Sequence, residues 1–243
     1  MIHHAVVQGS KEWRKLRCGV PTASQFHKVI TPKTRKRSTQ IEGYAMHLCA
    51  ERLLGMPLET ITTKAMHNGT ELEESAKAAY AFARRVEIEP VGFMTTDDRK
   101  VGASPDGMIT GVKLLEAKCP SVETHIGYMV LGKSGVDEKY FCQLQGQIHV
   151  SEFDLTDIIS FWPGLPDVVV TVPRDEPFIA ALKPLIEELL GLVDEYMAVL
   201  KQQGYEPRVI DDEQAEDIGP FGISQADVEK FMNAKFPKGV SLQ

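Results

Sequence analysis

The sequence predicts an α/β fold in which helices pack on a central mixed β-sheet. Three observations carry this: helical spacing over residues 41–84, β-rich sequence over 86–119, and a return to helix, strand and long amphipathic helix over 138–200.

Taken in order, residues 8–30 read as a short lead-in followed by one helix, with Pro21 in its first turn and Ser24 early in it. Residues 31–40, TPKTRKRSTQ, read as a polar basic loop with no apolar anchor, expected to be mobile without a ligand. Tyr44, Leu48 and Leu53 place a helix over 41–54, which Gly55 and Pro57 end. Leu72, Ala76, Ala79 and Tyr80 place another over 67–84. Strand-like sequence covers 86–94, 100–108 and 113–119, with Gly107 and Gly111 marking the turn between the last two. A helix over 138–150, strands over 155–162 and 167–172, and an amphipathic helix over 177–200 complete the domain. This domain is assigned to residues 1–204. Beyond it, Asp211, Asp212, Glu213, Glu216 and Asp217 open an acidic appendage, 205–243, with a short helix over 224–234.

Composition narrows the function classes. A chain of 243 residues, 43% apolar and 25% charged, is that of a globular domain with a sizeable core. No apolar run is long enough to cross a membrane, and the N-terminus lacks a signal-like stretch, so a cytoplasmic protein is expected. Cys18, Cys49, Cys119 and Cys142 show no CxxC spacing, which argues against structural zinc, disulfides or an iron–sulfur cluster. Neither GxGxxG nor GxxxxGK[ST] occurs, which removes the common nucleotide-cofactor fingerprints. Net charge is −7, yet residues 1–40 hold nine basic residues against the single acid Glu12. A local basic face of this kind suits phosphate even on an acidic chain.

The chemistry-bearing stretch is Ser104-Pro105-Asp106-Gly107 followed by Glu116-Ala117-Lys118-Cys119-Pro120. On a strand, Glu116 and Lys118 project to one face while Leu115, Ala117 and Cys119 project to the other. Asp106, at the end of the preceding strand, can be brought toward Glu116 by the turn. Two carboxylates at one place repel unless a cation joins them, and a hard ion such as Mg2+ takes such oxygen ligands. A lysine beside them can hold an attacking water and stabilise charge on a phosphate, as phosphodiester hydrolysis requires. Glu-x-Lys alone recurs by chance, so the spacing from Pro-Asp matters. Glu71, Glu73 and Glu74 offer a third carboxylate, and Gln143 and Gln147 share one helix face, with Gln145 between them in sequence.

Together these pieces resemble the phage lambda exonuclease family, the viral recombinase or alkaline exonucleases of the PD-(D/E)xK nuclease superfamily. The resemblance covers residues 8–162. It lies in Trp13-Arg14-Lys15-Leu16-Arg17-Cys18-Gly19-Val20-Pro21-Thr22-Ala23-Ser24, Gly69-Thr70-Glu71-Leu72-Glu73, the two motifs above, and Tyr140-Phe141-Cys142-Gln143-Leu144-Gln145. It implies a restriction-endonuclease-like core and a metal-dependent 5′-to-3′ exonuclease on linear duplex DNA that releases mononucleotides and leaves 3′ single strands. By resemblance, Asp106, Glu116 and the Ala117 carbonyl bind Mg2+, two ions per site, with Mn2+ a substitute. Glu73 holds the second metal or the water, Lys118 activates the nucleophile, and Gln143 takes an active-site position. Arg17, Ser24 and Ser104 correspond to the pocket for the 5′-phosphate. Arg35 and Arg37 are alternative candidates for a DNA-contacting arginine, because the basic loop does not align residue for residue. The resemblance further implies a homotrimeric ring around DNA and a single-strand annealing protein as partner.

Two other readings fit the same core. A structure- or site-specific endonuclease would cut closed circles, which an end-phosphate pocket does not favour. A non-catalytic DNA-binding protein is disfavoured by the retention of Asp106, Glu116 and Lys118.

Overall fold

The computed structural model describes residues 1–58 and 64–207, with their side chains except those of 64–71 and 133. The appendage predicted over 205–243, with its helix over 224–234, lies outside the described residues beyond Pro207.

The first helix, α1 (Lys11–Arg17), starts at Ser10, whose hydroxyl accepts the Trp13 N–H at 3.2 Å. It does not continue to residue 30 as expected. Gly19 takes a left-handed φ of +66° and packs on the Arg52 side chain, where a Cβ would lie 2.4 Å from Arg52 Cγ. The chain then runs through Pro21 and Thr22 into a separate 3₁₀ turn, Ala23–Lys28. The basic loop carries regular structure that its composition did not announce. Strands β2 (Ile30–Thr31) and β3 (Lys36–Arg37) form an antiparallel hairpin. Helix α2 (Ile41–Leu54) ends, as predicted, at a left-handed Gly55 whose N–H returns to the Glu51 carbonyl.

Helix α3 (Lys64–Arg84) leads to three short strands and one long one: β4 (Phe93–Thr95), β5 (Gly102–Ala103), β6 (Gly107–Ile109) and β7 (Lys113–Lys118). Most of 86–92 is irregular, with one bridge between Glu89 and Met108. The N-terminal β1 (Ile2–His4) pairs with β4, and β4 with β5, in a small antiparallel sheet. The main sheet has the order β6-β7-β8-β9, where β8 is Leu155–Ser160 and β9 Val168–Pro173. Only β7 and β8 run parallel, which makes this sheet mixed, as the sequence predicts. A parallel pair needs a crossover. Two helices supply it: α4 (Val122–Leu131), which the sequence reading missed, and α5 (Glu138–Ser151).

The faces of β7 set the position of the site. Leu115 and Ala117 pack against Ala76 and Tyr80 of α3 and Ile159 of β8, on one side of the sheet. Leu114 faces the other side, into the larger core with α2 and α6 (Glu176–Gln202). Helix α6 buries Phe178, Ile179, Leu182, Ile186, Leu189 and Val193 at three- and four-residue spacing. Each such side chain contributes roughly 1.5–3 kcal/mol on burial. Helix α5 lies tight on the 3₁₀ turn because position 146 is glycine; a Cβ there would sit 2.4 Å from the Phe26 ring. That contact sets the segment carrying Ser24 beside the helix carrying Gln143 and Gln147.

Candidate active site

Strand alternation puts Glu116 and Lys118 on one face, and the Lys118 ammonium donates to Glu116 Oε1. The Lys118 carbonyl accepts from Phe161 N–H at 2.9 Å, on the β8 edge. The N–H and C=O of Ala117 therefore face the opposite edge. There β6 pairs only as far as Gly107. The Ala117 N–H instead donates to Asp106 Oδ2 at 2.7 Å. Asp106 thus sits just before β6, where its carboxylate caps the open edge of β7 and shares that edge with the Ala117 carbonyl.

Helix α5 closes the other side. Gln143 Nε2 donates to Glu116 Oε1 at 2.5 Å, and Gln147 Nε2 donates to Oε2 at 2.6 Å. Their i,i+4 spacing puts both on one helix face. Gln145 points away and is structural: its Nε2 donates to the Pro173 carbonyl and its Oε1 accepts from Asp175 N–H, both at 2.8 Å. The Tyr140 ring lies 5.0 Å from the Lys118 ammonium.

Burial and mutual charge shift the titratable groups of the cluster. Burial pushes the Asp106 carboxyl well above its ordinary range, and the charge of Glu116 pushes it further; Lys118 and the Ala117 N–H only partly oppose this. Burial also raises Glu73, which feels the ammonium of Lys118 and the carboxylate of Glu116. For Lys118, burial disfavours the charge, but Glu116 and Asp106 outweigh it and hold the ammonium form. Among the described residues, no three His, Cys, Asp or Glu side chains converge as a metal-ligand set. The chemistry of the donors still fits Mg2+, which keeps several waters and needs few protein oxygens. Asp106, Glu116 and the Ala117 carbonyl supply such oxygens, and a divalent ion would favour the ionised form of Asp106 against its burial and the charge of Glu116.

A second cluster forms where α1 meets the approach to β6. Ser104 Oγ accepts from Trp13 Nε1 at 3.0 Å and from Arg17 Nη1 at 3.3 Å. The Arg17 guanidinium stacks on the Trp13 ring, 4.2 Å from its centroid. Ser24 is joined to this cluster less directly: its hydroxyl lies 3.3 Å from Thr22 Oγ1, and Thr22 bridges to Gly102, two residues before Ser104. Arg35 and Arg37 stand elsewhere, in ion pairs with Asp175 at 2.9 Å, and with Glu188 at 2.5 Å and Glu42 at 3.0 Å. Two residues near the sites were given no role from sequence. Gln147 was visible as the i+4 neighbour of Gln143, and Trp13 as the opening residue of the motif that carries Arg17, without a role of its own.

A mixed sheet flanked by helices, with Asp106, Glu116 and Lys118 at the edge of its central strand, defines a restriction-endonuclease-like α/β architecture. The chain belongs to the YqaJ-like viral recombinase domain family, whose profile matches residues 12–154. It is similar to the alkaline exonuclease LHK-Exo from Laribacter hongkongensis, at 28% identity and a TM-score of 0.71 over 80% of this chain and 98% of that one. The LHK-Exo complex with dAMP aligns at 29% identity and a TM-score of 0.72 over the same shares. A phage-related exonuclease from Haemophilus somnus 129PT shares the fold, at 15% identity and a TM-score of 0.62 over 74% of this chain and 96% of that one. No curated protein matches the chain.

Proposed function

We propose that this chain is a Mg2+-dependent exonuclease that degrades linear duplex DNA from its 5′ ends, releasing mononucleotides and leaving 3′ single strands for annealing. The observation that carries this reading is the convergence of Asp106, Glu116 and Lys118 on one strand edge, in a chain whose solved relatives include an alkaline exonuclease.

Held by Asp106, Glu116 and the Ala117 carbonyl, with Glu73 near, Mg2+ would polarise the scissile phosphate and acidify a bound water. The chain's own groups do the rest. Lys118 donates to the attacking water and to the charge that develops on the phosphate. Gln143 supplies an amide N–H at the same carboxylate oxygen and steadies Glu116 as Lys118 turns to its substrate. Arg17 and the hydroxyls of Ser104 and Ser24 hold the terminal 5′-phosphate, a guanidinium and two short donors being suited to that anion. Arg35 and Arg37 would reach the duplex backbone by exchanging their carboxylate partners for phosphates. A homotrimeric ring, a single-strand annealing partner and action in the cytoplasm complete the proposal, all drawn from the family resemblance.

The test offers the protein, with Mg2+, a linear duplex bearing either a 5′-phosphate or a 5′-hydroxyl, and closed circular DNA. Faster nucleotide release from the phosphorylated end, intact circles and an inert Lys118→Ala variant are expected. Cut circles would move the protein to the endonucleases. A wild-type protein that cleaves no DNA with any divalent ion would overturn the proposal.

A further inference from the structure

The two amides on Glu116 are chemically alike but differently placed. Gln143 is half-buried, and it shares Oε1 with the Lys118 ammonium, so its oxygen is the contested one. Gln147 is only 1% exposed and is the only side-chain donor to Oε2 among the described contacts. Its own Oε1 is buried with no hydrogen-bond partner. Buried amides ordinarily satisfy both ends, and an unmet acceptor calls for a reason. Here the reason is local: turning the amide over would set its oxygen against the Glu116 carboxylate. The orientation that serves Glu116 therefore leaves the carbonyl end unserved. Neighbouring positions show that α5 can satisfy a glutamine when structure alone is at stake, since Gln145 bonds through both ends.

We infer that Gln147 is a positioning residue for the proposed metal centre: it fixes the Glu116 carboxylate from behind through Oε2, so that Oε1 can pass between donors without the side chain turning. The inference rests on the metal-dependent nuclease reading. Partners that orient a liganding carboxylate are worth roughly ten- to a hundredfold in metal affinity. Gln143, by contrast, shares Oε1 with the Lys118 ammonium and is less buried, so it is the partner that Oε1 can exchange.

The experiment compares wild type with Gln147→Met, which keeps the volume and loses the donor, and Gln147→Asn, which keeps an amide too short to reach. Mn2+ binding is measured by calorimetry without DNA, alongside thermal melting and steady-state cleavage. The expected result is folded variants whose Mn2+ Kd rises roughly tenfold or more, whose need for metal in cleavage rises in parallel, and whose KM for DNA at saturating metal stays at the wild-type value. Rescue of kcat by excess metal is expected for both variants and not for Lys118→Ala. Folded variants that bind Mn2+ like wild type, or that lose activity only through KM for DNA, would overturn the inference and leave the nuclease reading intact. If Gln147→Met fails to fold, Gln147→Asn decides on the same readouts. A wild-type protein with neither Mn2+ binding nor cleavage would remove the nuclease reading itself.

Discussion

Trp13 Nε1 donates to Ser104 Oγ at 3.0 Å, a bond between helix α1 and the segment that leads into Asp106. Because Arg17 Nη1 donates to the same oxygen, the serine hydroxyl has accepted twice and its own hydrogen is directed away from both. That leaves it to donate to an anion resting on the guanidinium. A hydrogen bond to a charged group contributes about 1.5–3 kcal/mol, which is roughly a ten- to hundredfold effect. Ser104→Ala should therefore lower the ratio of initial rates on 5′-phosphate and 5′-hydroxyl ends by at least about tenfold. An unchanged ratio would place the end pocket elsewhere.

Asp106 gives a prediction that needs no substrate. Its carboxylate is destabilised by burial and by Glu116, while its bond from the Ala117 N–H is one that an amide oxygen could also accept. Asp106→Asn should then stabilise the metal-free protein, by about 1 kcal/mol, which is roughly 2–4 °C in Tm at this chain length. The same change should abolish the rise in Tm that Mg2+ gives wild type through binding only the folded state. Melting curves in EDTA and in Mg2+ check both halves. A variant less stable than wild type in EDTA would mean that the Asp106 carboxylate is not under the stress described.

On the opposite face of the sheet, Asp157 is a buried structural anion. It accepts from Tyr80 Oη at 2.6 Å, Lys113 Nζ at 2.7 Å and Thr171 Oγ1 at 2.6 Å. Burial alone would raise its carboxyl, but the bonds from Lys113, Thr171 and Tyr80 outweigh burial and hold it below the ordinary value. A carboxyl depressed in the folded state stabilises above its unfolded value, about pH 4, and loses that contribution as pH falls through the folded one. Asp157→Asn should cost about 3 kcal/mol at pH 7, since it strands the largely buried Lys113 ammonium. The gap to wild type should narrow below about pH 4. Urea unfolding at pH 7 and at pH 3 measures the two values, and an equal gap at both would contradict the charge argument.

The chemistry was legible wherever it followed a local period. Period two on β7 placed Glu116 and Lys118 together and turned Leu115 and Ala117 into the α3 face. Helical spacing bounded α2 and α5 to within about a residue. What failed was set by tertiary contact. The first helix ends ahead of Gly19, whose left-handed φ and close approach to Arg52, thirty-three residues away, only glycine allows. Strand β1 exists only by pairing with β4, and no pattern in three residues could announce it. Loop 31–40 offered no apolar anchor to read, and the carboxylates that Arg37 meets on α2 and α6 lie up to 151 residues away in sequence. In the same way Gln147 looked like polar surface until α5 was laid across Glu116.

Those carboxylates define the last prediction. The guanidinium groups of Arg35 and Arg37 are exposed, and exposed ion pairs contribute only about 0–1 kcal/mol each. Removing either arginine should thus shift Tm very little. If these groups exchange Asp175, Glu42 and Glu188 for phosphates when DNA binds, each substitution removes one counterion-releasing contact. Duplex affinity should then fall across all sequences alike, and the slope of log K against log salt should shrink by about 1 for Arg35→Ala or Arg37→Ala. A salt titration of binding with Ca2+ in place of Mg2+ reads that slope without cleavage. A slope unchanged in one variant and reduced in the other would assign the DNA contact to a single arginine. Slopes unchanged in both would make the hairpin's ion pairs purely structural, and would shift the duplex contact to the basic face of α1.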